Sequence, residues 1–262
     1  EYHKAGREEA GLAIEAALDA RKMWSEFEWI DRIAIFKKAA DLLSTNWRST
    51  INAATMLGQS KSVHQAEIDS ACELADFLRF NSYFAKRVYE EQPLQIEGSW
   101  NEIEYRPLEG FVFAVTPFNF TAIGGNLPTA PAIMGNVVVW KPASTAVYSA
   151  YFFMRLLEEA GLPKGVINFI PGNSAEISDI VLSHKELAGV NFTGSTEVFQ
   201  SIWETVGRNV KGYRSYPRLV GETGGKDFVV AHESANIDVL ATALVRGAFE
   251  YQGQKCSATS RA

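Results

Sequence analysis

Cys256 lies in Gln252-Gly253-Gln254-Lys255-Cys256-Ser257, a polar stretch with a cation beside the sulfur. A thiolate on an accessible loop is a covalent nucleophile, and a neighbouring lysine favours that thiolate. The alternative is a small buried hydrophobe, the commoner fate of a cysteine. For Cys72, mid-helix in Ser70-Ala71-Cys72-Glu73, that is the reading taken. Glu222, in Gly221-Glu222-Thr223-Gly224-Gly225-Lys226, is either a solvated turn carboxylate or a general base toward water. The glycines around it let backbone approach a ligand closely. Asn119, in Thr116-Pro117-Phe118-Asn119-Phe120, is an ordinary turn former whose amide can also donate to an oxyanion. Lys141 ends an apolar run ahead of Pro142, which suits a solvated strand end or a contact to a ligand hydroxyl or phosphate. Gly194-Ser195-Thr196-Glu197 reads as a capped helix start, plain or aimed at a diphosphate.

Such side chains need elements to hold them. From Gly110 onward, short apolar runs at Phe111–Val115, Asn136–Lys141, Val166–Ile170 and Gly189–Thr193 alternate with helical patterns at about 121–134, 145–160, 175–183 and 197–208. That alternation predicts a parallel sheet covered by helices on both faces, with ligands outside the carboxyl ends of the strands. Further strands are expected at Arg218–Val220 and Phe228–Ala231, and a helix at 236–249. The first ninety residues are helical in pattern. Ile33, Phe36, Ala40, Leu43 and Trp47 form one apolar stripe, and Phe77, Phe80, Phe84 and Val88 a second. After Pro93, the stretch to Arg106 alternates loosely and suggests an extended strand or hairpin.

Composition removes several classes. The 262 residues are 47% hydrophobic, 12% aromatic and 21% charged, which excludes disordered, collagen and coiled-coil chains. A net charge of −6 gives no electrostatic reason to bind nucleic acid or an anionic membrane. Two cysteines make no disulfide scaffold, so the chain reads as intracellular. Four scattered histidines and no Cys-x-x-Cys make a metal site unexpected. No apolar run reaches the roughly 18 residues of a membrane helix. The common Gly-x-Gly-x-x-Gly dinucleotide fingerprint does not occur.

Taken in order and spacing, five motifs resemble the aldehyde dehydrogenase superfamily. They are Thr116-Pro117-Phe118-Asn119-Phe120, Trp140-Lys141-Pro142-Ala143, Phe192-Thr193-Gly194-Ser195, Glu222-Thr223-Gly224-Gly225-Lys226 and Gly253-Gln254-Lys255-Cys256. The stretches Asn119–Leu127 and Ala248–Ser257 look most like the Δ1-pyrroline-5-carboxylate dehydrogenases, which oxidise glutamate γ-semialdehyde to glutamate in proline catabolism.

The resemblance implies an α/β fold: a variant Rossmann-like NAD-binding domain over 1–223, with N-terminal helices and an extended oligomerisation segment near 94–106. Residues 224–262 would begin an α/β catalytic domain. The chain would then be a piece cut at both ends and inactive alone, from a homo-oligomeric enzyme that is cytoplasmic in a bacterium or mitochondrial in a eukaryote. Cys256 would be the nucleophile, Asn119 with the Cys256 amide the oxyanion hole, and Glu222 the base for the hydrolytic water. Thr116, Pro117, Phe118, Lys141, Gly194, Ser195 and Val198 would line the cofactor site. Ser144 stands where many NAD-preferring relatives place Glu; it would not repel a 2′-phosphate, so NADP is allowed beside the favoured NAD. Glu73, Phe120, Lys255 and Ser257 would meet the substrate, with Glu73 holding an ammonium, Phe120 walling the aliphatic stem, and Lys255 and Ser257 facing a carboxylate. For Glu73, a plain solvated helix position is an equal alternative. The rival readings are another semialdehyde dehydrogenase, a non-catalytic NAD-binding fragment, or part of a larger bifunctional polypeptide.

Overall fold

Five strands meet as one sheet in the computed structural model, which describes residues 1–262. They are β1 (Phe111–Val115), β2 (Val137–Lys141), β3 (Ile167–Phe169), β4 (Leu187–Gly194) and β5 (Arg218–Thr223). All pair in parallel in the order β3-β2-β1-β4-β5. Every residue of β2 is buried, and every residue of β1 except Val115. Strands covered on both faces have no polar side to show, which is why β1 and the Val137–Trp140 run of β2 are apolar throughout. At the sheet edge, β5 has no buried residue and is mixed in composition.

The chain runs from β1 outward to β2 and β3, then returns to place β4 on the other flank of β1. The crevice between the carboxyl ends of β1 and β4 is therefore a topological switch point, where ligands of such sheets bind. The connecting helices are α6 (Thr121–Ile133), α7 (Val147–Ala160), α8 (Ser174–Ser183) and α9 (Thr196–Arg208), with α10 (Ile237–Phe249) after β5. All five lie within two residues of the expected ranges.

The N-terminal region supplies α1 (Arg7–Trp24), α2 (Trp29–Ser44), α3 (Arg48–Gln59), the single turn α4 (Val63–Ala66), a π-helical segment Glu67–Glu73, and α5 (Leu74–Glu90). Trp24 is fully buried and donates to the Ala132 carbonyl at 3.0 Å, locking α1 onto α6. No helix is long and apolar enough to cross a membrane.

Three expectations are corrected. The buried face of α5 is Leu74, Ala75, Leu78, Ser82 and Ala85, whereas Phe80, Phe84 and Val88 of the expected stripe are exposed. The face of α5 that packs on α2 and α6 is made of small and aliphatic side chains, and aromatic spacing alone does not reveal that. Between 94 and 106 no strand forms, since nothing in the chain pairs with it. Side-chain amides satisfy the backbone instead: Gln92 Oε1 accepts from Ile103 N–H, and Gln95 Oε1 from Asn101 N–H, both at 2.9 Å. The expected strand Phe228–Ala231 reduces to one bridge, Phe228 with Arg261.

Candidate active site

The segment after β1 enters α6 through Phe120, which supplies no side-chain cap. The exposed N–H groups of a helix start need acceptors. Here they come from another element. Asp69, in the π-helical segment, accepts from Thr121 N–H at 3.0 Å and from Ala122 N–H at 2.8 Å. Three successive residues of that segment, Asp69, Ser70 and Ala71, are buried. Asp69 is also paired with Lys61 at 2.6 Å, the two side chains only 2% and 1% exposed. Lys61 donates in turn to the Asn119 carbonyl at 2.6 Å and stands over the Phe120 ring, 4.3 Å from its centroid. Removing one member of such a pair strands a buried charge and costs about 3–5 kcal/mol.

Asn119 thus starts from a braced backbone. Its side chain is buried, and its Nδ2 donates to the Gln254 carbonyl at 2.5 Å, while Oδ1 has no partner. The contact brings Asn119 to the loop that carries Cys256. Tyr251 anchors the same loop by donating its hydroxyl to the Gln59 carbonyl at 2.6 Å. Gly225 presses on it from the other side: a Cβ there would lie 2.5 Å from the Cys256 carbonyl oxygen. Glycine is the residue type that permits that approach.

Cys256 and Glu222 line one open cleft of about 540 Å³ with Gly224, Lys226, Asp227, Phe228 and Ser257. Glu222 is on β5 rather than in the turn, opposite Thr193 of β4, and the turn follows at Gly224 with φ +62°. Burial pushes the Cys256 thiol up from its ordinary value, and the Glu222 charge adds to this. Lys255 does not offset it as the sequence suggested, because its ammonium pairs with Glu250 instead. Burial and the Glu222 charge thus both disfavour the thiolate.

Among the other substrate candidates, Glu73 is half-buried, and burial raises its carboxyl, with Asp69 adding and Lys61 and Lys255 opposing. Glu73 and Lys255 are therefore close enough to feel each other's charge. Phe120 is buried under Lys61, and Ser257 lines the Cys256 cleft. Cys72 is exposed on the π-helical segment, near Arg48 and Glu67, and is not the buried hydrophobe expected.

The cofactor candidates lie at the carboxyl ends of β1, β2 and β4. Thr116 and Pro117 are buried, and Thr116 Oγ1 accepts from Trp140 Nε1 at 3.0 Å. Lys141 is also buried, not solvated; its ammonium donates to Ser174 Oγ at 2.5 Å, and burial lowers its pKa. Ser195 caps α9 by accepting from Val198 N–H at 3.3 Å. Phe118, Ser144 and Val198 are exposed. Thr193 Oγ1, just before Gly194, is buried without a partner. An orphaned hydroxyl, a buried lysine and a helix N-terminus along one strand edge fit a diphosphate-bearing dinucleotide. No trio of His, Cys, Asp or Glu is placed to hold a metal ion.

A model of the aldehyde dehydrogenase family matches residues 1–262. The chain belongs to the aldehyde dehydrogenase family. It is 55% identical to a probable delta-1-pyrroline-5-carboxylate dehydrogenase of Schizosaccharomyces pombe, over 99% of this chain and 48% of that protein. It is 52% identical to the mitochondrial delta-1-pyrroline-5-carboxylate dehydrogenase of Homo sapiens, over 95% and 44%. The crystal structure of the Mycobacterium tuberculosis Delta-pyrroline-5-carboxylate dehydrogenase bound with NAD superposes with a TM-score of 0.96 at 60% identity. It covers 99% of this chain and 48% of that one. The chain spans about half the length of the curated relatives it matches. Both the family and the α/β fold read from the sequence hold. Sequence reasoning missed Lys61, Asp69 and the orphaned Thr193. The capping box Ser62-Val63-His64-Gln65 was an available signal, since it places Lys61 in the tight link between two helices.

Proposed function

We propose that this chain carries the nucleophile, oxyanion donor, water-activating base and cofactor edge of an enzyme that oxidises L-glutamate γ-semialdehyde to L-glutamate with NAD. The observation that carries this reading is the meeting of three distant segments: Asn119 hydrogen-bonded to the Cys256 loop, and Glu222 on the wall of the Cys256 cleft. The names of the relatives supply the substrate and the cofactor.

Cys256 Sγ attacks the aldehyde carbon, forming a C–S bond while the carbonyl π electrons move to oxygen. The thiol proton must leave first, and Glu222 is the acceptor at hand. Asn119 Nδ2 stabilises the oxyanion together with the Cys256 backbone N–H. Bound NAD would supply a hydride acceptor at this point, leaving a thioester on Cys256. Glu222 first gives up the thiol's proton to solvent through the open cleft, then takes a proton from water as the water oxygen attacks the acyl carbon. The C–S bond breaks and the carboxylate leaves. Glu73 and Lys255 are suited to the ammonium and carboxylate of the amino-acid end, beyond Phe120. Lys141 and the start of α9 would hold the dinucleotide's ribose and diphosphate. Ser144, exposed and uncharged, does not bar NADP.

The same reading divides the chain at 223/224, at the end of β5, the last strand of the sheet. The human relative is named mitochondrial, which suits a matrix address if the source is eukaryotic. The test is NADH formation by the full-length enzyme with glutamate and succinate semialdehydes, alongside the Cys256→Ala variant. Turnover should favour the glutamate compound and vanish in the variant while NAD still binds. Equal rates on both aldehydes would overturn the substrate, and retained turnover in the variant would overturn the nucleophile.

A further inference from the structure

Four consecutive residues at the entrance to α6 are each held by the same buried pair. Lys61 takes the Asn119 carbonyl at 2.6 Å and faces the Phe120 ring at 4.3 Å. Asp69 takes the Thr121 and Ala122 N–H groups at 3.0 and 2.8 Å. Lys61 and Asp69 themselves close at 2.6 Å. Each comes from a feature that departs from plain helix. Lys61 follows Ser60, whose φ of +54° ends α3 in the left-handed region, and Asp69 is carried on the π-helical segment.

An ion pair this deeply buried is a poor source of stability, because desolvation offsets most of its attraction. Apolar side chains of similar volume would fill the space at no such cost. What they would not provide is a donor to the Asn119 carbonyl and a two-oxygen acceptor for the first turn of α6. Those two contacts fix the backbone on both sides of Phe120. They therefore fix where the Asn119 carboxamide points, and that carboxamide reaches the Cys256 loop at Gln254.

We propose that Lys61 and Asp69 are a positioning pair that aims the Asn119 carboxamide at the oxyanion; this rests on the oxyanion reading given above. Neither residue touches the reacting atoms. They act through the backbone of 119–122, so loosening them misplaces a donor without removing it.

The test measures the pre-steady-state NADH burst of the full-length enzyme with glutamate semialdehyde, and the NAD dissociation constant by fluorescence titration. The set is Lys61→Met, Lys61→Met/Asp69→Asn, Asn119→Ala and Lys61→Met/Asn119→Ala. Asn119→Ala should slow the burst by about 10²–10³-fold, the usual loss for one oxyanion donor. Lys61→Met should slow it by about 10–100-fold through misplacement, with NAD affinity within about twofold of the wild type. On the Asn119→Ala background, Lys61→Met should cost less than about threefold more, because the donor it aims is already gone. A wild-type burst in Lys61→Met, or the same loss repeated on the Asn119→Ala background, overturns the positioning role and leaves the oxyanion reading standing. A wild-type burst in Asn119→Ala overturns both. If Lys61→Met unfolds around the stranded Asp69 carboxylate, the charge-free double variant is read by the same criteria. Loss of NAD binding in that variant too would make the pair structural and overturn the proposal.

Discussion

The two sides of the candidate site are held in place by different physics. On the Asn119 side, Thr116, Asn119, Lys61 and Asp69 are all buried, and every strand behind them except β5 is packed into the core. On the Cys256 side, α10 has no buried residue at all. That side is held by polar contacts instead: Thr259 N–H to the Gly247 carbonyl, Ser260 N–H to the Asp227 carbonyl, Val229 N–H to the Arg261 carbonyl, and two ties to the buried side, Asn119 to the Gln254 carbonyl and Tyr251 to the Gln59 carbonyl. The difference separates two tasks. In the proposed reaction, the groups that would receive and polarise a carbonyl are set by burial and change only if the fold changes. The groups that would attack it are set by a few hydrogen bonds and one glycine contact, and they can be perturbed without unfolding anything.

Substitutions should expose that division. On the buried side the loss should be one of stability. Trp140 is fully buried, donates to Thr116 and meets Phe169 edge-on at 5.0 Å. Trp140→Ala should destabilise by about 3–5 kcal/mol in chemical denaturation, from the cavity and the lost donor. A change under about 1 kcal/mol would mean that the strand ends are not a packed platform. Across the cleft the loss should be one of rate. Gly225→Ala places a methyl 2.5 Å from the Cys256 carbonyl oxygen, so the loop has to shift. The expected result is kcat down by about a hundredfold with little change in denaturation midpoint or NAD affinity. Wild-type kcat would show that the contact does not set the nucleophile. The smallest effect is on titration. With Cys72→Ser as background, the pH profile of Cys256 alkylation should have its inflection above that of a free thiol, because burial and the Glu222 charge both disfavour the thiolate. Glu222→Gln removes the second cause, so the inflection should move down and alkylation near neutral pH should quicken. An upward or absent shift would separate Glu222 from Cys256.

The sheet and its covering helices were legible because their signal is local. Uninterrupted runs such as Asn-Val-Val-Val-Trp-Lys mark strands buried on both faces, and Gly194-Ser195 marks a helix start through its cap. The catalytic candidates were legible as short motifs, although the meeting of Glu222 with Cys256 in one cleft and the contact of Asn119 with Gln254 are products of the fold. What escaped depends on tertiary placement. The aromatic stripe of α5 has good helical spacing, yet the helix packs through Leu74, Leu78 and Ala85 and leaves Phe80 and Phe84 exposed. Lys61, between two serines, reads as a solvated lysine; only the approach of the π-helical segment buries it. Lys255 beside Cys256 suggested an activated thiolate, but adjacency in sequence did not become adjacency of charge, because Glu250 claimed the ammonium.

The chain order of the site has a consequence for biosynthesis. Gln254 trails Asn119 by 135 residues, so at roughly 5–20 residues per second the ribosome delivers the Cys256 loop on the order of ten seconds after the Asn119 segment. In that interval the first four strands, which are contiguous with their helices, can assemble and bury the Lys61–Asp69 pair. The candidate nucleophile then arrives at a receptacle that is already built.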